Sequence, residues 1–265
     1  MTIDFLKQIV ADKQKEIAAA KRRLPEKELR ERALLPRKRR NFFKRLESPG
    51  PSGINIIAEI KRASPSKGIL APHLDPVTYA KAYEHGGATA LSVLTDNAHF
   101  MGCADDLEHA RKATKLPVLR KDFLISSYQI FESSGMGADA VLLIVRILAK
   151  AQLKDYLDLC NEIHMDALVE IHSEQDLESA INANAKLIGI NNRNLSSFET
   201  DLETTIRMAS LLDSHQIAVA ASGIQRRKDI EIITKSGIWN FLIGESIVKA
   251  KNPRAFLKSL HGNIA

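Results

Sequence analysis

The sequence predicts an α/β fold, a (β/α)8 barrel with an N-terminal helical extension. From residue 54 onward, short β-rich runs alternate with longer amphipathic helical patterns, and eight such units occupy about 210 residues. Strict alternation predicts a parallel sheet, because each parallel pair of strands needs a crossover connection and a helix is the usual one. The number of units and their total length match a closed eight-stranded barrel.

The predicted strands are short runs rich in aliphatic and β-branched residues, which favour extended structure. They cover residues 54–61, 88–95, 117–123, 139–145, 166–172, 186–192, 216–222 and 239–245. Helical patterns lie between strands at 76–85, 149–164, 173–182, 201–213 and 226–236, and a last one comes at 253–260. Several of these patterns open with Ser, Asp or Pro, as helix starts commonly do.

A doubly wound open sheet is the competing α/β architecture. It would place a glycine-rich turn after its first strand. Here RASPSKG occupies that place at 62–68, and the GMG at 135–137 follows a helical pattern instead of a strand. The sequence therefore favours the closed TIM barrel.

Residues 1–50 differ from the rest of the chain. Leu6, Ile9, Val10 and Ile17 fit one face of a helix, and prolines interrupt the stretch from residue 25 to residue 51. This pattern predicts two or three helices with too little apolar content for a separate domain. We therefore expect a single barrel domain over residues 1–265, of which 1–50 is a helical extension that caps one end.

The composition is that of a chain that can bury a full core, with 45% hydrophobic residues among 265. The longest uninterrupted apolar stretch, VLLIV at 141–145, is too short to span a membrane, and the opening segment lacks the pattern of a secretory signal. We therefore expect a cytoplasmic, monofunctional monomer with no membrane partner.

The formal net charge is +6, and much of the excess lies in KRR at 21–23 and RKRRNFFKR at 37–45. One interpretation is a nucleic-acid contact in which Phe42 and Phe43 stack on bases. The other is a solvated helix face whose two phenylalanines are core anchors, and we favour it because no recognised nucleic-acid motif accompanies the run. A net positive charge would also attract a small anionic substrate toward its site.

Polar residues collect where the predicted strands end. Glu59 and Lys61 are two apart, so they point to the same side of the first strand. Later strands end with Lys121, Glu170, Asn191, Arg193, Ser222, Gly244 and Glu245. Because the carboxyl ends of parallel barrel strands meet at one mouth, where barrel enzymes build their active sites, we expect a catalytic site there.

Two glycine-containing strand ends indicate an anion site. ASG at 221–223 and IGES at 243–246 close the last two strands and offer backbone N–H groups ahead of a helix, the usual phosphate cradle of barrels. The eight histidines show neither an HExxH pattern nor a Cys/His cluster, so we expect no metal and no nucleotide cofactor. His172, two residues after Glu170, is the one histidine expected to face the mouth.

Eight motifs, in this order, resemble one enzyme family: IIAEIKRASPSKG, LSVLTD with FMG close behind, VLRKDF, GADAVLLIV, ALVEIH, IGINNRNL, ASGI and FLIGES. The sequence, including its N-terminal helical segment, closely resembles indole-3-glycerol phosphate synthase, the ring-closing decarboxylase of tryptophan biosynthesis. The resemblance implies a lyase that converts 1-(2-carboxyphenylamino)-1-deoxyribulose 5-phosphate into indole-3-glycerol phosphate, CO₂ and water. It implies neither a metal nor pyridoxal.

The resemblance also assigns chemical roles. Lys121 would be the general acid of ring closure and Glu170 the base of the later dehydration, with Asn191 positioning the departing hydroxyl. Lys61 would contact the anionic groups and share the acid role, with Glu59 holding it by charge. The resemblance does not decide which lysine acts in which step.

The remaining site residues bind the substrate. By resemblance, the phosphate would be held by Lys61, Ser64, Ser222, Gly223, Gly244 and the backbone N–H of Glu245, and Ser222 would also belong to the catalytic set. Arg193 would face the anthranilate carboxylate. Phe100, Leu142 and Leu195 would line the aromatic pocket. Crowding of the lysines is expected to lower their pKa values and ease proton donation.

One departure and two rival functions stay open. Where the family usually has glutamate before the Ser-Gly of the seventh strand, this chain has Ala221, a difference that is tolerated, engineered, or a cause of reduced or redistributed activity. Another phosphate-binding barrel, such as phosphoribosylanthranilate isomerase, would need a cysteine base on the first strand, and 54–61 contains none. The non-enzyme alternative is a barrel that binds nucleic acid through residues 21–45.

Overall fold

A computed structural model describes residues 2–194 and 199–262. Its strands are β1 (Asn55–Ile60), β2 (Ala63–Ser64), β3 (Gly68–Ile69), β4 (Ala90–Leu94), β5 (Val118–Lys121), β6 (Ala140–Ile144), β7 (Asp166–Ile171), β8 (Leu187–Asn191), β9 (Ile217–Ala221) and β10 (Asn240–Ile243). All except β2 and β3 form one closed parallel barrel, in the order β1, β4, β5, β6, β7, β8, β9, β10 and back to β1. The predicted (β/α)8 barrel is confirmed, with each strand somewhat shorter than predicted.

The helices are α1 (Thr2–Arg23), α2 (Glu26–Ala33), α3 (Phe42–Leu46), α4 (Pro76–His85), α5 (Asn97–Phe100), α6 (Ala104–Ala113), α7 (Ser127–Met136), α8 (Lys150–Glu162), α9 (Glu174–Asn182), α10 (Glu203–Ala209), α11 (Arg227–Thr234), α12 (Glu245–Val248) and α13 (Pro253–His261), with a 3₁₀ turn at Val145–Ile147. Side chains of Asp75, Ser173 and Asn252 cap three of them, as the helix-start pattern predicts. None of the helices in the described residues combines the length and apolar character needed to cross a membrane.

The barrel wall separates two apolar clusters, because successive side chains of a strand point to opposite faces. Outward residues such as Ile56 and Val141 pack beneath the surrounding helices. Inward residues, including Ile57, Leu119 and Leu142, fill the barrel interior. The interior is therefore a packed core that leaves space only near the mouth.

The extension contacts both ends of the barrel, whereas the sequence predicted a cap at one end. At the base, α3 inserts the fully buried Phe42 and Leu46 into the interior cluster. The Leu46 carbonyl accepts hydrogen bonds from Trp239 Nε1 at 3.0 Å and Asn240 Nδ2 at 3.1 Å. At the opposite end, Phe5 and Leu6 of α1 line the mouth. The extension thus closes the base and forms part of the mouth.

The basic run 37–45 is only partly helical, because α3 begins at Phe42. Arg39 donates to the carbonyls of Ala138 (2.9 Å) and Ile163 (3.1 Å), while Arg40 donates to those of Leu116 (2.7 Å) and Arg111 (3.0 Å). The predicted core role of Phe42 is confirmed. The predicted solvated helix face is wrong for Arg39 and Arg40, since both guanidinium groups bind the barrel base.

Candidate active site

A cavity of about 1010 Å³ opens at the carboxyl ends of the barrel strands. Among the residues lining it are most of those proposed for the site: Glu59, Lys61, Ser64, Phe100, Lys121, Glu170, Asn191, Arg193, Ser222, Gly223, Gly244 and Glu245. Parallel strands explain this convergence, because each strand delivers its last residues to the same end of the barrel.

Glu59 and Lys61 form an ion pair at the end of β1. Lys61 Nζ lies 2.6 Å from Glu59 Oε1, with the Glu59 side chain 6% exposed and that of Lys61 15% exposed. A Cβ on Gly244 would lie only 2.2 Å from Glu59 Oε1, so glycine is required there for the carboxylate to fit. The close approach of β1 and the end of β10 therefore holds Glu59, and Glu59 holds Lys61.

A second cluster joins β5, β7 and β8 across the cavity. Lys121 Nζ lies 3.4 Å from Glu170 Oε2, and Asn191 Nδ2 donates to Glu170 Oε1 at 3.2 Å. Glu170 is 5% exposed. Both carboxylate oxygens of this buried group therefore face polar partners, as a buried charge requires.

The electrostatics of this cluster contradict the expectation that crowding lowers the lysine pKa values. Burial disfavours the charged form of Lys121, but Glu170 and Glu59 outweigh it, so the pKa of Lys121 lies above its ordinary value. Burial likewise opposes ionisation of Glu170, while Lys121, His172 and Asn191 hold its pKa below the ordinary value. At neutral pH the pair is lysinium and carboxylate.

The turns after β9 and β10 form another side of the cavity. Ser222 and Gly223 both have positive φ, at 68° and 80°, and Asn192 Nδ2 donates to the Ser222 carbonyl at 3.1 Å. After β10, the Glu245 side chain lies 2.7 Å from Lys249 Nζ and 3.6 Å from Arg193 Nη2. This side combines glycine-containing backbone with two cationic side chains and can accept an anion.

The segment after β1 covers part of the mouth. β2 and β3 pair as a short antiparallel hairpin, and its connecting residues Pro65, Ser66 and Lys67 line the cavity. Arg193 Nη1 donates to Ser66 Oγ at 3.2 Å, which ties the hairpin to the end of β8. The segment after β1 is thus a hairpin joined to the far side of the mouth.

An apolar wall lies between β4, β5 and α1. The rings of Phe100 and Phe123 have centroids 6.0 Å apart, and Phe5, Leu6 and Ile9 of α1 complete the wall. Sequence reasoning missed Phe123 and the α1 residues. VLRKDF contained a usable signal, since Phe123 is two residues after Lys121, whereas nothing local placed α1 at the mouth.

One of the residues proposed for the aromatic pocket lies elsewhere in the barrel. Leu142 is 1% exposed inside the barrel below the cavity, and Ile144, two residues further along β6, lines the cavity on the same inward face. The proposed Leu142 contact therefore lies one inward position too deep. Leu195 falls outside the described residues.

Ala221 ends β9 on the inner wall of the cavity. It is 5% exposed and lies in register with Asn191 on one side and Leu242 on the other. A longer side chain at 221 would extend from the inner wall into the cavity beside Asn191. The methyl group therefore leaves open space beside the Lys121–Glu170–Asn191 cluster.

The chemistry available at the mouth is proton transfer beside bound anions. Two lysines and two carboxylates can give and take protons, and the apolar wall can hold a planar ring. In the part of the chain that the structure describes, no group of three or more His, Cys, Asp or Glu side chains could hold a metal ion.

Solved structures of low sequence identity share the fold. Thiamine phosphate pyrophosphorylase from Pyrococcus furiosus superimposes with a TM-score of 0.60 at 14% identity, covering 79% of this chain and 95% of its own. The 3-hexulose-6-phosphate synthase from Salmonella typhimurium gives a TM-score of 0.63 at 12% identity, covering 78% and 97%. Identities this low support the barrel fold alone.

Sequence relatives carry the family assignment. The family model described as indole-3-glycerol phosphate synthase matches residues 6–260. The indole-3-glycerol phosphate synthase of Syntrophobacter fumaroxidans is 51% identical over 262 residues, covering 99% of each chain. That of Desulfosudis oleivorans is 53% identical over 258 residues, covering 97% of this chain and 98% of its own. The chain therefore belongs to the indole-3-glycerol phosphate synthase family.

Proposed function

We propose that this chain converts 1-(2-carboxyphenylamino)-1-deoxyribulose 5-phosphate into indole-3-glycerol phosphate in tryptophan biosynthesis, as a carboxy-lyase. The observation that carries the proposal is the arrangement of the mouth. Two lysine–carboxylate pairs, Lys61–Glu59 and Lys121–Glu170, lie in one cavity with a basic, glycine-containing side and an apolar wall. This arrangement suits a substrate with a phosphate at one end and an aromatic ring at the other.

Ring closure joins the aromatic carbon that bears the carboxylate to the C2 carbonyl carbon of the sugar. As this bond forms, the carbonyl oxygen gains negative charge and needs a proton donor. Lys121 carries its proton at neutral pH because Glu170 and Glu59 favour its charged form. Lys121 is therefore assigned as the acid of this step, and the new hydroxyl keeps its proton.

Loss of CO₂ follows from the bond just formed. The ring supplied the electron pair of the new bond and is left with a positive charge. It accepts the electron pair of the breaking C–C bond, so decarboxylation restores aromaticity. Arg193 is assigned to the side of the cavity that receives the carboxylate before this step. An apolar wall favours the neutral product CO₂ over the carboxylate.

Dehydration then removes the hydroxyl made in the first step. Lys61 gives it a proton, water leaves, and Glu170 takes the proton of the anilinic nitrogen, with Asn191 orienting Glu170. The methylene carbon beside the nitrogen then loses a proton while the nitrogen regains one, and this shift completes the indole ring. Two protons are given and one is taken, so each turnover consumes one proton from solvent. The low pKa of Glu170 keeps it ionised and able to accept the proton.

The phosphate is assigned to the side built by the turns after β9 and β10. Lys61, Ser64, Ser222 and the backbone of Gly223, Gly244 and Glu245 surround that part of the cavity. The Glu245 carboxylate pairs with Lys249, which reduces its repulsion of a phosphate. Phe100 and Phe123 are assigned to the anthranilate ring.

The direct test supplies the carboxyphenylamino-deoxyribulose phosphate and follows indole fluorescence. We expect signal from the wild-type chain and a higher kcat in Ala221→Glu, because a carboxylate at 221 would add a proton-accepting group beside Asn191. Ala221→Gln is the matched control for size without charge. A kcat in Ala221→Glu no higher than in Ala221→Gln would refute a role for charge at this position, and no product from wild type or Ala221→Glu would refute the function.

We further propose that the chain acts in the cytoplasm as a monomer that does not bind nucleic acid. The basic run supports the absence of nucleic-acid binding, since Arg39 and Arg40 donate hydrogen bonds to backbone carbonyls of the barrel base. Sedimentation of the purified chain should give a mass near the 29.4 kDa of one copy, unchanged by added RNA. A complex with RNA that is lost on deleting the basic residues would favour the rival function.

A further inference from the structure

His172 lies beside Glu170 and is not among the described residues that line the cavity. Glu170 belongs to β7 and His172 directly follows the strand, and the imidazole is 2% exposed. His172 Nε2 lies 3.5 Å from Glu170 Oε1. Within the described residues, neither ring nitrogen of His172 has a hydrogen-bond partner. The expectation that His172 lines the mouth is therefore wrong, since the buried ring packs beside Glu170 and does not line the cavity.

A buried imidazole without a partner is uncommon, because a buried N–H that donates to nothing loses its hydrogen bond to water without replacing it. Glu170 Oε1 is the acceptor that a slight side-chain rotation would bring within hydrogen-bond distance of His172 Nε2. The backbone N–H of His172 already donates to Asp176 Oδ2 at 2.8 Å, so the main chain is held while the ring can adjust.

The charges that face His172 come from four elements. Glu170 of β7 and Asp176 of α9 favour the imidazolium, whereas Arg146 of the 3₁₀ turn and Lys121 of β5 disfavour it. Burial is the largest influence and keeps the pKa of His172 below its ordinary value. The ring is therefore neutral at pH 7, with one N–H to donate and one nitrogen that can gain a proton.

We propose that His172 is a positioning residue for Glu170: the neutral ring directs its Nε2–H at Oε1, and gaining a proton makes Glu170 a poorer base. This inference rests on the proposed function, in which Glu170 accepts the anilinic proton. When Asn191 and His172 both donate to Oε1 of Glu170, they fix the orientation of its carboxylate. Oε2 of Glu170 then faces Lys121 and the substrate. An imidazolium in the same place would stabilise the carboxylate further and weaken its pull on a proton.

Activity measurements separate positioning from packing. His172→Leu should lower kcat about tenfold with KM changed less than about twofold, since a hydrogen bond to a charged group is lost. His172→Gln places an amide N–H near the Nε2 position and should recover most of that kcat. Because glutamine does not titrate, the acid limb of the His172→Gln pH profile should lie at lower pH than in wild type. His215→Gln, an exposed histidine, is the matched control and should leave the profile unchanged.

A titration without substrate tests the pair independently. In ¹⁵N-labelled full-length protein, the His172 ring signal is identified by its disappearance in His172→Gln. It should titrate at lower pH in Glu170→Gln, because the carboxylate that favours the imidazolium is gone. An unshifted titration, full kcat in His172→Leu, or an unmoved acid limb in His172→Gln would each overturn the inference. Absence of product from wild type would instead refute the proposed function and leave the titration result standing.

Discussion

At the scale of single residues, the protonation of the two lysines at the mouth depends on the carboxylate that lies beside each of them. Both candidate acids have one: Lys61 lies beside Glu59, and Lys121 lies beside Glu170. At Lys121 the attraction between unlike charges outweighs burial, so this lysine is protonated well above neutral pH. The site therefore operates with its proton donor and its proton acceptor both charged.

Lys121→Ala tests this arrangement. We expect kcat to fall by roughly 10²–10⁴, the usual contribution of a positioned acid or base. Without the lysine, the strongest influence that lowers the pKa of Glu170 is gone, so this pKa rises and the acid limb of the residual activity should move to higher pH. The measurement is kcat against pH from indole fluorescence.

Lys112→Ala provides the control for Lys121→Ala, since the Lys112 side chain is 72% exposed and should not affect the site. Full activity in Lys121→Ala would remove Lys121 from the mechanism. A lower kcat with an unmoved acid limb would mean that Lys121 does not set the pKa of Glu170.

At the scale of elements, α1 is attached to the mouth by one buried cation. Lys13 is 3% exposed, and its Nζ lies 2.8 Å from Asp96 Oδ2 and 3.0 Å from Asp122 Oδ1. Asp96 follows β4 and Asp122 follows Lys121 of β5, so one lysine joins α1 to two adjacent strand ends. Phe5 and Leu6 of the pocket wall belong to the same helix as Lys13.

Lys13→Met should lower the free energy of unfolding by roughly 3–5 kcal/mol, because it leaves two buried carboxylates without their shared cation. Urea unfolding of both proteins gives the difference. Lys15→Met is the matched control, with a side chain 77% exposed, and should change stability by less than about 0.5 kcal/mol. A loss below about 1 kcal/mol in Lys13→Met would show that α1 is held by its apolar face alone.

At the scale of the whole molecule, the same cluster links global stability to pH. Arg120 and Lys13 outweigh the burial of Asp122 and lower its pKa from 3.8 to about 2. A carboxyl whose pKa is lower in the folded state stabilises the fold above its unfolded pKa and loses that contribution as the pH falls through the folded value. Asp122 therefore contributes about 2 kcal/mol above about pH 4, and this stabilisation disappears towards pH 2.

Comparison of wild type with Asp122→Asn measures that contribution. The wild type should be more stable above about pH 4, and the difference should shrink by about 2 kcal/mol as the pH falls towards 2. Chemical unfolding at a series of pH values gives both curves. A difference that does not change with pH would mean that Asp122 has the same pKa in the folded and unfolded states.

The barrel was predictable because its signals are local. Each strand is encoded in a run of seven or eight residues and the predicted helices in runs of eight to sixteen. Alternation in the strands places Glu59 with Lys61 and Asn191 with Arg193. Leu142 shows the limit of that reasoning, since alternation gives the face of a residue but not its depth. Ile144 has the same face and lies at the cavity.

The sequence by itself determined the eightfold alternation, the charged and glycine-containing strand ends, and their common mouth. Tertiary structure decided that α1 lies at the mouth and α3 at the base, and that Arg39 and Arg40 bind the barrel base. It also decided that His172 packs beside Glu170 without lining the cavity. These features join residues that are far apart in the chain. The strand period of two residues and the helix period of 3.6 residues show only which face a side chain occupies, so they do not predict such contacts. The raised pKa of Lys121 also depends on tertiary structure. Its partner Glu170 is 49 residues away in the chain, and only the closed barrel brings Lys121 Nζ to 3.4 Å from Glu170 Oε2.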